Sequence, residues 1–343
     1  MDAAAKEILD NLRARKFSPV YVLQGEEPYY IDLISNYIEE HALSESEKGF
    51  NQVVVYGKDT PVNVILTHAR RFPMMAERQV VIVREAQDIP DLQKETGAKL
   101  LLDYITKPVP STILVLCHKH KTLDKRRELG KKIDQLTTSA TFKKIYDNQL
   151  PAFVQEYMKA KGMKIDDQAV RVLCEYVGTD LSRLSNEMDK VLIATEKGST
   201  ISAEMVMSQV GISREYNIFE LQKAIIAKDA LQVAKIVNYF ESNTRKNPVI
   251  PLVAFLYSFF SKLLVASAAG DKSERNLVSL LKISPFAAKD YTAALQRYNT
   301  TQLVNGIHFL KEADLKLKGV NSGSEDEGQI LKELVFRIMM QTS

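Results

Sequence analysis

Over the first 144 residues, short apolar runs alternate with stretches of helical period. The runs predict strands at Val20–Gln24, Gln52–Tyr56, Gln79–Arg84, Thr112–Cys117 and Thr141–Ile145. Between them, helical spacing falls near Tyr29–Glu40, Pro61–Arg71, Ala98–Thr106 and Asp124–Leu136. Strands that are apolar at successive positions are covered on both faces, and helices between them imply parallel pairing. Right-handed crossovers then give a doubly wound α/β domain.

After Ile145 the strand pattern stops. Leu150–Lys161 reads as a helix closed by Gly162, with Pro151 tolerated in its first turn. Asp166 caps Asp167–Val177, which Gly178 ends; Thr179 or Asp180 caps a longer helix to Thr195, and Ser202 caps a short one before Gly211. Beyond Gly211 the chain is helical throughout, with apolar stripes through Ile218–Ala227, Leu231–Phe240, Leu252–Ala266, Phe286–Tyr298 and Gln302–Leu317. Pro248, Pro251 and Ser284-Pro285 mark helix starts, and 319–328 (GVNSGSEDEG) is a polar loop before a last helix, Gln329–Met340. The expected division is an α/β domain over 1–144, a small helical module over 145–211 and a larger all-α block over 212–343.

A length of 343 residues suits two or three domains, and 45% hydrophobic with 26% charged residues is ordinary globular composition. The net charge of +3 permits contact with nucleic acid without demanding it. Cys117 and Cys174 lie far apart inside apolar runs, which predicts buried, reduced thiols and a cytoplasmic protein. No signal peptide is read at the N-terminus, and the densest apolar run, Ile250–Ala269, is broken by Pro251, Ser258, Ser261 and Lys262, so no membrane span is expected.

Two strand ends fall where an ATPase holds its nucleotide, and both lack the residues that do the work. After Val20–Gln24 comes Gly25-Glu26-Glu27 in place of a glycine-rich loop with its lysine, and two acidic residues repel a triphosphate. At the end of Val80–Val83, Arg84 followed by Glu85 stands where a metal-binding Asp belongs. One loss could be drift; two concordant losses point to a nucleotide-binding architecture used for something other than hydrolysis. No cofactor or metal is therefore expected.

Between the second helix pattern and that strand lies Arg70-Arg71-Phe72-Pro73-Met74-Met75-Ala76-Glu77-Arg78-Gln79. Phe72, Met74 and Met75 in so short a connection either plug the end of the core or form an exposed wedge for a partner's pocket. The run 119–132 (KHKTLDKRRELGKK) could meet phosphates through Lys119, Lys121, Lys125, Arg126 and Arg127, but Asp124 and Glu128 interrupt it and no aromatic is interleaved; a solvated helix face is the better reading. Cys117-His118-Lys119-His120 lacks a second ligand pair at finger spacing, so a metal site is not expected. From Val177 to Lys190 a capped helix with Leu181, Leu184, Met188 and Val191 as its buried stripe accounts for the pattern locally. No nucleophile elbow or metalloprotease helix occurs.

Taken in order, Tyr21-x-Leu23-x-Gly25, Gly178-x-Asp180-Leu181 with Asn186-Glu187-x-x-Lys190, Pro251-Leu252, Ser284-Pro285-Phe286, and Glu312-Ala313-Asp314 followed by Lys318-Gly319 resemble the delta subunit family of the bacterial DNA polymerase III clamp loader over essentially the whole chain. The resemblance implies an AAA+-like domain without a working ATP site, a helical lid and a helical collar. It implies a non-catalytic subunit of a DNA-directed DNA polymerase holoenzyme. Its partners would be the sliding clamp (beta), gamma/tau and delta prime in a hetero-pentamer, and primed DNA, with no membrane. Members insert an apolar pair into the clamp, and the matching place is Met74-Met75, with Phe72 beside it. The family's better-known pair is Leu-Phe, from which two methionines depart. The rival readings are an active AAA+ ATPase, which needs the missing lysine and Asp, and a DNA-binding helical protein, which needs a concentrated basic stripe.

Overall fold

Val20–Gly25 (β1), Gln52–Tyr56 (β2), Gln79–Arg84 (β3), Thr112–Lys119 (β4) and Thr138–Phe142 (β5) pair in parallel as one five-stranded sheet, in the order β2-β3-β4-β1-β5. The three inner strands are buried almost throughout, whereas the edge strands β2 and β5 are only partly covered. That difference is the one their composition foretells, since QVVVY and TSATF carry polar residues that VYVLQG and TILVLC largely avoid. The structure, a computed structural model, describes residues 2–196, 198–210, 216–243, 248–320 and 326–341. The chain forms two units, Met1–Ile145 and Tyr146–Ser343.

In the first unit, the helices are Ala3–Arg13 (α1), Pro28–His41 (α2), Glu45–Asn51 (α3), Val62–Ala69 (α4), Glu95–Thr106 (α5) and Glu128–Leu136 (α6). Side chains alternate across a strand. Val20, Val22, Val81, Val83, Leu114 and Leu116 accordingly join Ile65, Leu66, Leu101, Ile105 and Ile133 of α4, α5 and α6 in one core. Helix α2, with Ile31, Ile34 and Ile38 buried, packs on β1, β3, β4 and β5, and α1 packs on α2.

The second unit begins with Leu150–Ala160 (α7), Lys164–Ile165 (β6), Asp167–Val177 (α8), Leu181–Ile193 (α9), Thr200–Ile201 (β7) and Ala203–Val210 (α10). Asp166 and Asp180 are the caps, accepting from Ala169 N at 2.6 Å and Arg183 N at 2.9 Å. Ile218–Ala227 (α11), Ala230–Ser242 (α12), Val249–Ser267 (α13), Glu274–Leu281 (α14), Ala288–Leu295 (α15), Thr300–Leu317 (α16) and Glu327–Met339 (α17) follow. Helix α13 is the centre of this block: Leu252, Leu256, Phe260 and Leu263 are buried, and α16 lies close against it because Gly306 leaves room for the Phe260 ring. Arg171 of α8 pairs with Glu175 on its own helix and with Asp290 of α15, each at 2.8 Å, and so ties α8 to α15.

Several expectations are corrected. β5 lies three residues earlier than the pattern suggested, at Thr138–Phe142, because an edge strand tolerates its polar residues; Thr138 Oγ1 and Ser18 Oγ are bonded at 2.7 Å. The helix expected from Asp124 starts at Glu128. Strand pairing does not end at Ile145: β6 and β7 form a two-residue parallel ladder. Helices α1, α3 and α14 were absent from the pattern reading, α3 and α14 being too short to show a stripe. Helix α13 spans 19 residues and is, by length and composition, apolar enough to cross a membrane, contrary to expectation; in the structure it is a core helix. Gly211, on which the second domain boundary was placed, and 321–325 of the polar loop lie outside the described residues.

Candidate functional site

The turn after β1 is closed rather than open. Gly25 has φ 128°, and a Cβ added there would stand 2.1 Å from the Phe142 carbonyl oxygen of β5. Backbone N–H groups that cradle phosphate in a nucleotide site are already bonded: Gly25 N donates to Lys121 O at 3.2 Å and Glu27 N to Phe142 O at 3.3 Å. Glu27 is buried and caps α2, its carboxyl accepting from Tyr29 N at 3.2 Å. An acidic side chain of the chain itself thus sits at the helix N-terminus that would face a phosphate.

Arg84, read from sequence only as a missing Asp, is a structural tie. Its guanidinium donates to Ser35 Oγ at 2.8 Å, Asn36 Oδ1 at 2.7 Å and Glu39 Oε2 at 2.6 Å, all on α2, with Asp32 at 3.5 Å. Lys119, at the end of β4, bridges Asp32 at 2.9 Å and Glu85 at 3.1 Å. Burial opposes ionisation of Glu85, but the Gln87 amide and the Lys119 ammonium outweigh it and hold its carboxyl below the ordinary value. Burial likewise works against the Lys119 charge, and Asp32 and Glu85 overcome it, so its pKa is raised. Cations therefore pair with acids of the chain at the place where an ATPase would hold metal and phosphate.

The basic run is divided in the same way. Lys119 is committed to that network. Lys125 pairs with Asp134 at 2.7 Å, Arg126 with Asp124 at 2.9 Å, and Arg127 donates to Gln93 O; Lys121 is exposed. Cys117 is buried, and its thiol is pushed up to about 11 by burial. His118 is buried beside it with Nδ1 2.9 Å from Lys121 O, and burial lowers its pKa. Among the described residues, no group of His, Cys, Asp and Glu is arranged to hold a metal ion.

The connection between α4 and β3 has the opposite character. Phe72 is 83%, Met74 54% and Met75 102% exposed, so none of them plugs the core. Of the two readings of this tract, only the exposed one is compatible with these values. Met75 adopts φ 53°, a left-handed conformation unfavourable for a side chain of this kind, and the segment turns there. Three anchors hold it. Buried Gln79 places Nε2 3.3 Å from the His68 and Ala69 carbonyls at the end of α4 and also bonds Arg71 O. Arg78 lies over the Phe17 ring at 4.8 Å. Asn51 bonds the backbone of Met74, and Phe50 beside it is 70% exposed. Asn51 and Gln79 escaped the sequence reading; an amide at a strand boundary carries no distinguishing pattern until its partners are known.

In the second unit, α12 and α17 leave an apolar groove open. Phe336 and Met340, each 63% exposed, line it together with Val233, Val237 and Met339.

Residues 21–145 match the family model "DNA polymerase III, delta subunit" and residues 215–340 the model of that subunit's C-terminal domain. DNA polymerase III subunit delta of Bacillus subtilis is 25% identical over 339 residues, covering 97% of this chain and 96% of that one. The probable DNA polymerase III subunit delta of Aquifex aeolicus is 23% identical over 229 residues, covering 64% of this chain and 63% of its own. The solved structure of the Bacillus subtilis DNA clamp loader delta protein superposes with a TM-score of 0.66 at 23% identity, over 98% of this chain and all of that one, and shares the fold. With both domain models matched in order along its length, the chain belongs to the DNA polymerase III delta subunit family.

Proposed function

We propose that this subunit binds the ring-shaped sliding clamp through Met74, Met75 and Phe72 and holds it open for loading onto primed DNA, without hydrolysing ATP itself. The observation that carries the proposal is the exposure of three large apolar side chains on one anchored connection, an arrangement suited to an apolar pocket. Holding a ring open requires only that the wedge bind the open clamp better than the closed one. Purified chain should bind its cognate clamp in titration and hasten loss of clamp from circular DNA; a clamp that neither binds nor leaves faster would count against the reading.

The closed turn at Gly25 and the Arg84 and Lys119 ion pairs support a domain that takes no nucleotide. Calorimetric titration with Mg-ATP is expected to give no micromolar site, and a saturable one would refute this. Energy for the cycle would then come from neighbouring gamma/tau subunits, with delta prime completing a hetero-pentamer in the cytoplasm. Residues from about 212 would be the collar of that ring, the preceding helices from 145 its lid, and 1–144 the AAA+-like domain. Lys119, Lys121, Lys125, Arg126 and Arg127 are candidate contacts with DNA. The groove between α12 and α17 is a ready surface for a neighbouring collar, since exposed apolar faces of this kind seldom stay uncovered. Phe336→Asp, at an exposed position, should leave the chain folded yet reduce its entry into the loader about tenfold or more, measured by co-elution with the other subunits.

A further inference from the structure

An exposed apolar segment gains affinity if it is held in its bound shape beforehand, because the cost of ordering it is then not met at the moment of binding. Of the three anchors of the wedge segment, the buried Asn51 amide is the one that bonds the backbone of Met74 itself. Met74 N–H donates to Asn51 Oδ1 at 2.6 Å, and Asn51 Nδ2 donates to Met74 O at 2.9 Å. The same Nδ2 lies 3.1 Å from Glu47 O, one turn back on α3, so the amide's orientation is set by two carbonyl acceptors and one N–H donor. Helix α3 is in turn fixed at its start by a reciprocal capping box between Ser44 and Glu47. Asn51 is 3% exposed, whereas the side chains on either side of the bond it makes, at Met74 and Met75, face solvent.

From this geometry we infer that Asn51 is a positioning residue for clamp binding: it brackets the Met74 backbone so that Met74 and Met75 project at a fixed angle. The inference rests on the wedge reading above. Asn suits the task because the bracket needs a donor and an acceptor on one short, rigid group. Asp lacks the donor and would set an oxygen against two carbonyls; Ala lacks both.

The test uses the full chain and its cognate clamp. Asn51→Ala is expected to weaken clamp binding about tenfold or more while the protein remains folded by melting. In a Met75→Ala background the same change should cost clearly less, because a bracket has little left to aim; a general loosening would cost the same in both. Asn51→Asp, which keeps the acceptor for Met74 N–H, serves if the alanine variant does not fold, and should also weaken binding. Hydrogen exchange on the unaltered chain should find the Met74 amide protected. Unchanged affinity in the Asn51 variants, equal losses in both backgrounds, or a Met74 amide exchanging as fast as in a free peptide would each overturn the inference while Met74→Ala/Met75→Ala still weakens binding. If that double change has no effect, the wedge reading falls, and this inference with it.

Discussion

Met74→Ala/Met75→Ala should weaken clamp binding by roughly two decades or more and leave the melting temperature almost unmoved. Burying two methionine side chains in an apolar pocket contributes about 3–5 kcal/mol before ordering costs. Phe72, 83% exposed on the same connection, can retain part of that contact, which is why the loss stays short of complete. Folding is indifferent to the change because Met75 is fully exposed and Met74 is held through its backbone atoms, which alanine also has. A plug in the core would behave in the reverse way, losing about 2–5 kcal/mol of stability per truncated methionine. Melting and clamp titration on one preparation therefore separate the two. A large fall in melting temperature with unchanged clamp affinity would dismiss the wedge.

Gly25→Ala is expected to cost about 3 kcal/mol or more, an unusually large penalty for adding one methyl group. Two effects act together. The backbone at φ 128° lies in a region that L side chains rarely adopt, and the new Cβ would meet the Phe142 carbonyl oxygen at 2.1 Å. That oxygen belongs to the backbone of β5 and also accepts from Glu27 N, so it cannot swing aside as a flexible side chain could. Relief requires β5 to part from β1, against the register that pairs Gly25 with Phe142. For a unit of this size the loss corresponds to a fall of about 6–12 °C in its melting temperature. Chemical denaturation of the full chain, followed by a probe in the first unit, measures it; a change below about 1 kcal/mol would show that the closed turn is not rigid.

Much of the architecture was legible as pattern. The runs at Gln52–Tyr56 and Gln79–Arg84 and the stripe at Ile218–Ala227 match their elements residue for residue, because each carries its own apolar signal. Where the signal was weak, the elements were displaced or missed. In β5, TSATF offers only Ala140 and Phe142 to the core, so the pattern favoured the residues after it. In α3, ESEKGFN has no apolar stripe and is held by its cap and by the Asn51 amide. The site divides along the same line. That Gly25 and Arg84 depart from nucleotide chemistry is local and could be read from residue types. That Arg84 binds Ser35, Asn36 and Glu39 is a contact across some 45 positions of chain, which no local pattern encodes. Exposure of Met74 and Met75 is likewise a tertiary property. Residue types alone favour the plug and the family resemblance favours the wedge; the path of the chain between α4 and β3 is what exposes the side chains.

Glu27 gives the first unit a property that concerns time and concentration more than shape. An anion that arrives from solution stabilises its site by an amount that follows its concentration, about 4 kcal/mol at a thousandfold excess over Kd and nothing when it is depleted. An acceptor carried on the chain next to the helix it caps is never diluted and has no off-rate apart from unfolding. If the domain takes no nucleotide, as proposed, the turn after β1 is in the same state whether the cell is rich in nucleotide or starved of it. In the ring proposed above, whose other members would exchange nucleotide, such a subunit would supply a fixed reference against which their movements could be transmitted to the clamp.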